Sequence, residues 1–553
     1  MRNFFKSKPF ILYSLFFILT LGAIFRFYGL NWDQGFHLHP DERMIVMVVE
    51  KLNLNNLNPK FFAYGNFPLY LLKLLSFGAG YADLPLIGRR LAVLFDLGTI
   101  FLIFKIGKKV FSPPTAILAS FFYAICVLPI QLSHFYTVDV VLNFFTLLTL
   151  YLSILFYEKQ NPRQAALVGI SFGLALATKV SATALIVSIG TALFFDYLLV
   201  FLKKLREGSK AHSTIVSLIY PPVGYGLVML LFTVAAFLVT EPYALLDFET
   251  FWTQIKQQHQ MTRDAFTFPY TLQYVGTAPY LYHLKNLWLW GMGVGLGTAG
   301  LVGVVAYVFD LARRIRTKGE EDVEAKEIIL IVFFLSYFLV VGRFAVKFTR
   351  YFLPLYPLLT LYAARWLESL ESTWRKPVRA AVVVLALFWT LAFTSIYSRP
   401  NPRVQATEWF KKNVPAGAKI AVEHWDDRVP LRGNYQFLEM PMYEPDESEA
   451  KWAQIEKNLK EADYLVLASN RLYVPLQRLG NCRKYERCYP KTAEYYRKLF
   501  SGELGFKKVA EFTNYPKLAV GRWSLVIRDE GADESFTVYD HPKVIIFKRE
   551  SQT

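Results

Sequence analysis

The stretch PFILYSLFFILTLGAIFRFY, residues 9–28, decides the class of this protein. An apolar helix needs about 20 residues to cross the hydrocarbon core of a bilayer, and this stretch has that length. Arg2, Lys6 and Lys8 precede it, which predicts a cytoplasmic N-terminus. A cleaved signal peptide is the alternative interpretation. We disfavour it because no small-residue cleavage site follows the apolar core.

Ten further stretches have the composition and length of membrane spans. They are 89–108, 114–133, 139–157, 164–183, 182–201, 215–240, 286–310, 327–343, 351–368 and 379–397. Segment 67–83 differs because it is short, starts beside Pro68 and contains Lys73, so we interpret it as a juxtamembrane helix in the interface. The sequence therefore predicts a polytopic α-helical membrane protein with about eleven transmembrane helices.

The charges divide the chain into two parts. The 553 residues are 54% hydrophobic and 19% charged, with a net charge of +17 and three cysteines. These values exclude a disordered chain, a disulfide scaffold and an ordinary cytosolic enzyme. Residues 401–553 hold 25 basic and 22 acidic residues, a net charge of +3, which leaves +14 for residues 1–400. The basic excess follows the membrane part, so we predict no nucleic-acid partner.

The distribution of Lys and Arg predicts the topology. With 67–83 outside the membrane, the basic loops 105–109, 158–164, 203–210, 313–327 and 374–379 all become cytoplasmic. An odd number of spans then places residues 401–553 outside the cytoplasm. We therefore expect a multi-pass protein of the cell membrane with a soluble extracytoplasmic domain.

The same topology collects polar side chains on the outer face. The first outer loop, 29–88, contains FHLHPDER (36–43), and the second contains SHFYTVD (133–139). The fourth, 241–285, is long and aromatic, and the fifth reads GRFAVKFTRY (342–351). A transporter more often places its ionisable groups near the midplane of broken helices. The clustering therefore favours chemistry at the membrane surface.

The acidic residues of these loops each have a structural and a functional interpretation. Asp41 precedes the amphipathic run MIVMVVEKL, so spacing alone favours a helix cap over a general base. Glu42 suits the first turn of that helix, and Asp139 suits a cap at the start of its span. Asp96 lies within an apolar run, where we expect a structural partner. Lys179 either snorkels outward or pairs with a carboxylate or phosphate.

Basic and aromatic residues of the outer loops suit a lipid-linked ligand. Lys347 and Arg350 are either ordinary flanking charges or ligands of a lipid phosphate. A lone His259 is more often a hydrogen-bonding loop residue than a metal ligand, so we predict no metal and no cofactor. The fourth loop is long enough to act as a lid. Its aromatic residues suit either sugar stacking or an interfacial belt: Tyr243, Trp252, Phe266, Tyr270 and Tyr274.

Residues 401–553 alternate helical and strand patterns. WAQIEKNLKEA (452–462) is helical, whereas DYLVLAS (463–469) and VIIFKR (544–549) indicate strands, so we predict an α/β domain with a central sheet. Cys482 and Cys488 are spaced for a loop disulfide, although free thiols fit as well. Cys126 lies in a span and suits packing. No catalytic constellation stands out in this domain.

The order of these motifs resembles the GT-C superfamily of membrane glycosyltransferases. It is most similar to the branch of protein O-mannosyltransferases and the lipid A aminoarabinose transferase. HPDER (39–43), YGNFPLYLL (64–72), SHFYTVDVVLNFF (133–145), GLALATKVSA (173–182) and KFTRYFLPLYP (347–357) carry the resemblance across residues 1–400. WFKKNVPAGAKIAVEHWDD (409–427) and ESFTVYDHPKVIIFKR (534–549) resemble family members that end in an outer domain.

The resemblance implies a polyprenyl-phosphate sugar donor and inverting transfer to a protein, lipid or glycan acceptor on the outer face. It makes Asp41 the catalytic base and Asp139 the second catalytic acidic residue. Lys347 and Arg350 match the lipid-phosphate region. We also expect substrate contacts from other residues of these motifs: Glu42, His39, His134, Tyr136, Tyr351, Lys179 and Tyr64.

One departure weakens part of this assignment. Some relatives carry a charged residue immediately before the Pro-Leu pair, where this chain has Gly65, Asn66 and Phe67. Contacts to phosphate or metal from that position are therefore not expected here. Two other classes stay open, namely a transporter or flippase of lipid-linked sugars and a non-enzymatic membrane scaffold.

Overall fold

The structure is a computed structural model that describes residues 8–206, 211–318 and 324–550. Residues up to 400 are almost entirely helical. Their α-helices are α1 (Lys8–Phe27), α2 (Pro40–Lys51), α3 (Phe67–Leu75), α4 (Leu84–Val110), α5 (Pro113–Ala124), α6 (Val127–Ser133), α7 (Val138–Lys159), α8 (Pro162–Leu176), α9 (Leu185–Arg206), α10 (Ala211–Thr240), α11 (Tyr243–Leu246), α12 (Phe248–Arg263), α13 (Leu281–Asn286), α14 (Gly293–Lys318), α15 (Ala325–Val341), α16 (Tyr356–Ser369) and α17 (Ser372–Thr394).

Several of these helices have the length and apolarity of membrane spans. Among the described residues six do so, and a seventh span results if α5 and α6, which meet at a 56° bend, are taken together. Each predicted span coincides with a helix, but α8, α15 and α16 have only 15, 17 and 14 residues. Helix α4 carries six charged side chains along its length: Arg89, Arg90, Asp96, Lys105, Lys108 and Lys109. The chain is a membrane protein, and the number eleven stays a prediction.

Two predictions about the membrane part can be compared directly with the structure. Segment 67–83 forms only the nine-residue helix α3, which is too short to span a bilayer. Asp96 pairs with Arg26 at 2.6 Å and accepts a hydrogen bond from the Tyr123 hydroxyl at 2.7 Å, with both charged side chains fully buried. The predicted structural partner of Asp96 is therefore confirmed. Arg2, Lys6 and parts of the loops 203–210 and 313–327 lie outside the described residues.

The C-terminal domain contains a mixed sheet, as its sequence pattern predicts. Its strands are β1 (Lys419–Glu423), β2 (Gln436–Met440), β3 (Tyr464–Leu467), β4 (Phe506–Phe512), β5 (Lys517–Val520), β6 (Trp523–Val526) and β7 (Val544–Arg549). The five-stranded sheet has the order β2-β1-β3-β7-β4, in which β1 pairs in parallel with β2 and β3, and β7 is antiparallel to β3 and β4. Strands β5 and β6 form a separate hairpin.

The helices of this domain are α18 (Pro402–Asn413), α19 (Glu449–Glu461), α20 (Tyr473–Arg478), α21 (Pro490–Ser501) and α22 (Glu534–Thr537). Helix α19 and strands β3 and β7 confirm the three elements predicted from the sequence. Cys482 and Cys488 form a disulfide, and Cys126 is buried in the helical core. One apolar core joins the sheet to Leu272 of the loop 241–285, so that loop and the domain are packed together.

Candidate active site

Two helix starts bring the acidic residues of the site together. Pro40 occupies the first position of α2, and the ring Nδ1 of His39 accepts the backbone N–H of Glu42 at 3.3 Å, so His39 is the N-cap. The N-cap of α7 is Thr137. The capping interpretations of Asp41 and Asp139 are therefore wrong. Both carboxylates lie in the first turn of their helix with their side chains free for other partners.

A chain of four charged side chains links these helix starts. Arg350 lies between the two carboxylates, with Nη2 2.9 Å from Asp41 Oδ2 and Nε 3.5 Å from Asp139 Oδ2. Lys179 donates to the other oxygen of Asp139 at 2.8 Å. The chain is electrically balanced and mostly buried, which fixes the geometry of each member. For Lys179, pairing with a carboxylate is the interpretation that holds.

Arg350 stays charged in this setting. Burial alone lowers the pKa of its guanidinium, but Asp41 and Tyr539 raise it well above its usual value. The guanidinium also lies over the Phe348 ring, 4.5 Å from its centre. A fixed cation therefore lies between the two carboxylates.

Asp41 is the most accessible member of the cluster. Its side chain is 24% exposed, against 4% for Asp139. The Arg350 contact is close, but its angles are not those of a hydrogen bond, so Oδ2 has ion-pair contact without a hydrogen-bond donor. A carboxylate placed this way retains lone pairs for an incoming hydroxyl.

A large cavity of about 1610 Å³ lies beside the cluster. Leu176, Val180, Phe237 and Leu339 give one part of it apolar walls from the membrane helices. The other part is lined by polar residues of the loops: Lys179, Glu241, Lys256, His259, Arg263, Asp264, Arg343 and Lys347. The cavity is thus amphipathic, with apolar and basic side chains on its walls.

Lys347 is a buried cation with no acidic partner among the described residues. It is 3% exposed, and its Nζ donates to the Ala345 carbonyl at 2.9 Å. Burial lowers the pKa of this ammonium to about 8. A buried charge that lacks a counter-ion is costly, so its presence on a cavity wall points to an anionic ligand.

Two tyrosines line the cavity next to the charge cluster. Tyr64 and Tyr351 line the cavity, and the Lys179 ammonium lies 4.7 Å from the centre of the Tyr351 ring. Burial, followed by the nearby Asp41 carboxylate, raises the pKa of Tyr64 well above its usual value. Tyr64 therefore keeps its hydroxyl proton. Its side chain lines the cavity and interacts electrostatically with the Asp41 carboxylate.

Glu241 is a cavity residue that sequence reasoning missed. It follows α10 directly, and its Oε2 accepts the backbone N–H of Asn66 at 2.5 Å. Burial raises the pKa of this carboxyl to about 8. Backbone hydrogen bonds from Gly65 and Phe67 to the carbonyls of Thr178 and Ala177 hold the same segment. Only these long-range contacts reveal that Glu241 stands beside the position where relatives carry a charged residue.

Four predicted contact residues make contacts within the protein, and their role towards a substrate stays a prediction. Arg89 and the backbone N–H of Tyr136 bind the Glu42 carboxylate, which is 1% exposed. The ring nitrogens of His134 lie 2.8 and 2.9 Å from the carbonyl oxygens of Ile130 and Tyr28. The Tyr136 hydroxyl donates to the Pro68 carbonyl at 2.8 Å, and the His39 ring packs on Phe135 and Tyr539. None of the four lines the cavity, and neither do Asp41, Asp139 and Arg350.

The aromatic residues of the loop 241–285 divide in the same way. Trp252, Phe266 and Tyr274 line the cavity, whereas Tyr243 and Tyr270 do not. The His259 residue also lies on the wall. Across 8–206, 211–318 and 324–550, three or more His, Cys, Asp or Glu side chains do not gather in a way that could hold a metal ion.

The C-terminal domain contributes a side chain to the site, although no catalytic constellation stands out in its sequence. Between β6 and β7 the chain packs against the helical membrane part through the buried residues 533–541, which we call the return segment. Its Tyr539 hydroxyl lies 3.5 Å from Arg350 Nη1, and Glu534 pairs with Arg471. The sequence motif ESFTVYDHP carries no chemical signature, so only the fold reveals this contribution.

A buried ion cluster holds the return segment in place. His541 lies between Asp540 and Asp529, with contacts of 2.5 and 2.8 Å. The neighbouring carboxylates overcome the effect of burial and raise the pKa of His541 to about 10. Asp540 also accepts hydrogen bonds from Gln131 and Tyr397 of the membrane part. This cluster fixes Tyr539 beside Arg350.

Comparison with known proteins places this architecture in a class. Residues 86–225, about a quarter of the chain, match the profile of the family described as dolichyl-phosphate-mannose-protein mannosyltransferase. No curated protein matches the chain by sequence.

Solved structures share the fold over most of the chain. The oligosaccharyltransferase of Archaeoglobus fulgidus, tethered to an acceptor peptide with an NVT sequon, superposes with a TM-score of 0.52 at 14% identity, covering 88% of this chain and 72% of that one. The same archaeal enzyme, AglB, with an inhibitory peptide and dolichol-phosphate gives 0.51 at 12% identity, covering 88% and 72%. Apo ArnT from Cupriavidus metallidurans gives 0.51 at 15% identity, covering 84% and 94%. The chain therefore has the GT-C membrane glycosyltransferase fold with a C-terminal β-containing domain, as its motifs predict.

Proposed function

We propose that this protein is an integral membrane glycosyltransferase. It moves a hexosyl or pentosyl group from a polyprenyl-phosphate donor to a hydroxyl of a protein, lipid or glycan on the outer face of the cell membrane. The observation that carries the proposal is the amphipathic cavity, whose wall includes Lys179 of the charge cluster that also holds the accessible Asp41 carboxylate. AglB has been solved with dolichol-phosphate, and the matched family is described by a dolichyl-phosphate sugar, which supports the same donor class here.

The cavity suits a lipid-linked sugar at each of its parts. The apolar wall of Leu176, Val180 and Phe237 accommodates the first units of a prenyl chain, because it buries apolar surface. The donor phosphate provides the counter-ion that the buried Lys347 ammonium lacks in the protein alone. Lys179, although paired with Asp139, adds a second ammonium on the same wall.

Asp41 is the proposed general base. The acceptor oxygen attacks the anomeric carbon while its proton passes to Asp41, and the bond between that carbon and the phosphate oxygen breaks. The phosphate leaves on its prenyl chain with an additional negative charge, which the cations on the cavity wall stabilise. Attack opposite to the leaving phosphate inverts the anomeric centre.

Arg350 takes the role that a divalent cation would otherwise fill between the two carboxylates. A guanidinium already lies within 2.9 and 3.5 Å of Asp41 and Asp139, so these residues do not fit a metal. We therefore propose a reaction that needs no metal and whose rate a chelator leaves unchanged.

The decisive experiment compares Asp41→Asn with wild type. Purified protein is incubated with a panel of polyprenyl-phosphate sugars, and transfer and donor binding are measured separately. We expect Asp41→Asn to abolish transfer while polyprenyl phosphate still raises the thermal unfolding midpoint. Asp264→Asn is the matched control, since Asp264 lines the same cavity but bonds only to its own loop. Full activity of Asp41→Asn would reject the base, and no consumption of any donor by wild type would reject the donor class.

A further inference from the structure

The β5–β6 hairpin exposes apolar side chains that no part of the described chain covers. Trp523 is 86% exposed, Leu525 54% and Val526 47%, so both faces of β6 are open. A two-stranded hairpin is marginally stable alone in water, and such residues on its surface add to that cost. An additional surface must therefore stabilise them.

The hairpin is attached where the last predicted span ends. Lys517 donates its backbone N–H to Ser395 Oγ at 3.0 Å, directly after the end of α17. Next to it, Asn514 donates to the Ile396 carbonyl, and Arg399 donates to the Tyr515 carbonyl. These bonds fix the base of the hairpin at the membrane boundary of α17.

Next to this base, the hairpin packs against helix α17. Strand β5 packs against α17, and Leu518 contributes to the apolar core of the membrane part. Val520 pairs with Trp523 across the turn at Gly521 and Arg522. A four-residue strand extends about 13 Å, so the turn and Trp523 lie close to the end of α17.

Charge and residue type identify the surface that covers the hairpin. Residues 514–528 contain Lys517, Arg522 and Arg528 but no Asp or Glu. Trp is favoured at headgroup level, and basic side chains there attract anionic lipids. On α17 itself, Leu391 is 47% exposed, so the helix that carries the hairpin also has an open apolar side chain.

We propose that the β5–β6 hairpin inserts into the headgroup region of the bilayer and anchors the C-terminal domain on the membrane surface. Because only residues 527–532 separate β6 from the return segment, the anchor also steadies the segment that carries Tyr539. The proposal requires only that α17 spans the membrane, so it is independent of the proposed reaction.

The test measures the depth of the hairpin tip in the full protein. Ser524→Cys is labelled with an environment-sensitive fluorophore; the other cysteines do not compete, because Cys126 is buried and Cys482 is disulfide-bonded. Lys457→Cys is the matched control, on the exposed face of α19, which packs on β1 and β2. In lipid nanodiscs we expect quenching by headgroup-proximal doxyl lipids to be several-fold stronger for the hairpin label than for the control.

Two results would overturn the proposal. Equal, water-like emission of both labels would show that the hairpin lies in solvent. Label-to-label energy transfer without lipid quenching would show instead that a second copy covers it. Arg522→Glu is expected to weaken quenching in phosphatidylglycerol discs but not in pure phosphatidylcholine discs, and no such difference would reject the electrostatic contribution.

Discussion

Replacing Lys347 with methionine should separate stability from ligand binding. Burial lowers the pKa of this lysine from 10.5 to about 8, and one unit corresponds to about 1.4 kcal/mol, so the charged ammonium destabilises the unliganded protein by about 3 kcal/mol. Methionine keeps the length of the side chain and removes the charge. Lys347→Met is therefore expected to raise the thermal unfolding midpoint of the unliganded protein.

Donor binding should change in the opposite direction. A hydrogen bond to a charged group contributes about 1.5–3 kcal/mol, which corresponds to about ten- to hundredfold in affinity. Lys347→Met should therefore weaken polyprenyl-phosphate binding by that factor. Titration of the thermal midpoint with polyprenyl phosphate measures both effects in one assay.

A control variant distinguishes the buried charge from cavity charge in general. Lys256 lines the same cavity but is exposed, so Lys256→Met should change stability and affinity little. A Lys347→Met protein that is less stable than wild type, or that binds polyprenyl phosphate equally well, would refute the reasoning.

Three further predictions follow from the described contacts. Donor affinity should fall as pH rises through about 8, because Lys347 loses its charge and Glu241 becomes ionised in that range; isothermal titration at several pH values measures this, and Glu241→Gln should reduce the slope. His541→Gln should destabilise the protein by about 3–5 kcal/mol, because two buried carboxylates lose their cation. Since the pKa of His541 is raised from 6.5 to about 10, its contribution is complete below pH 6.5, and the difference in thermal midpoint from wild type should vanish as pH rises past about 10. Reducing the Cys482–Cys488 disulfide should raise the KM for the donor with little change in kcat. The reason is that Tyr485 and Arg487 of the disulfide loop pack on Gly276 and Phe266 of the cavity wall. An unchanged KM would argue against a role of the disulfide in supporting this wall.

Much of the candidate site could be located from the sequence, but its connections could not. The motifs HPDER and KFTRY point to Asp41 and Arg350 separately. Nothing in either motif indicates that the guanidinium lies between Asp41 and Asp139, since that contact joins residues about 300 positions apart. The capping interpretation of Asp41 was wrong for a different, local reason. Pro40 occupies the first position of helix α2, which makes His39 the N-cap.

The sequence by itself determined that this is a helical membrane protein with an α/β domain, because long apolar runs must be buried in lipid and short apolar runs form a buried sheet. Only the tertiary structure decided which polar groups share the cavity. Glu241 and Tyr539 come from ordinary surroundings in the chain and reach the site through a backbone hydrogen bond and a buried ion cluster. The physical reason is that burial and charge pairing depend on distances in space, which a local pattern does not record.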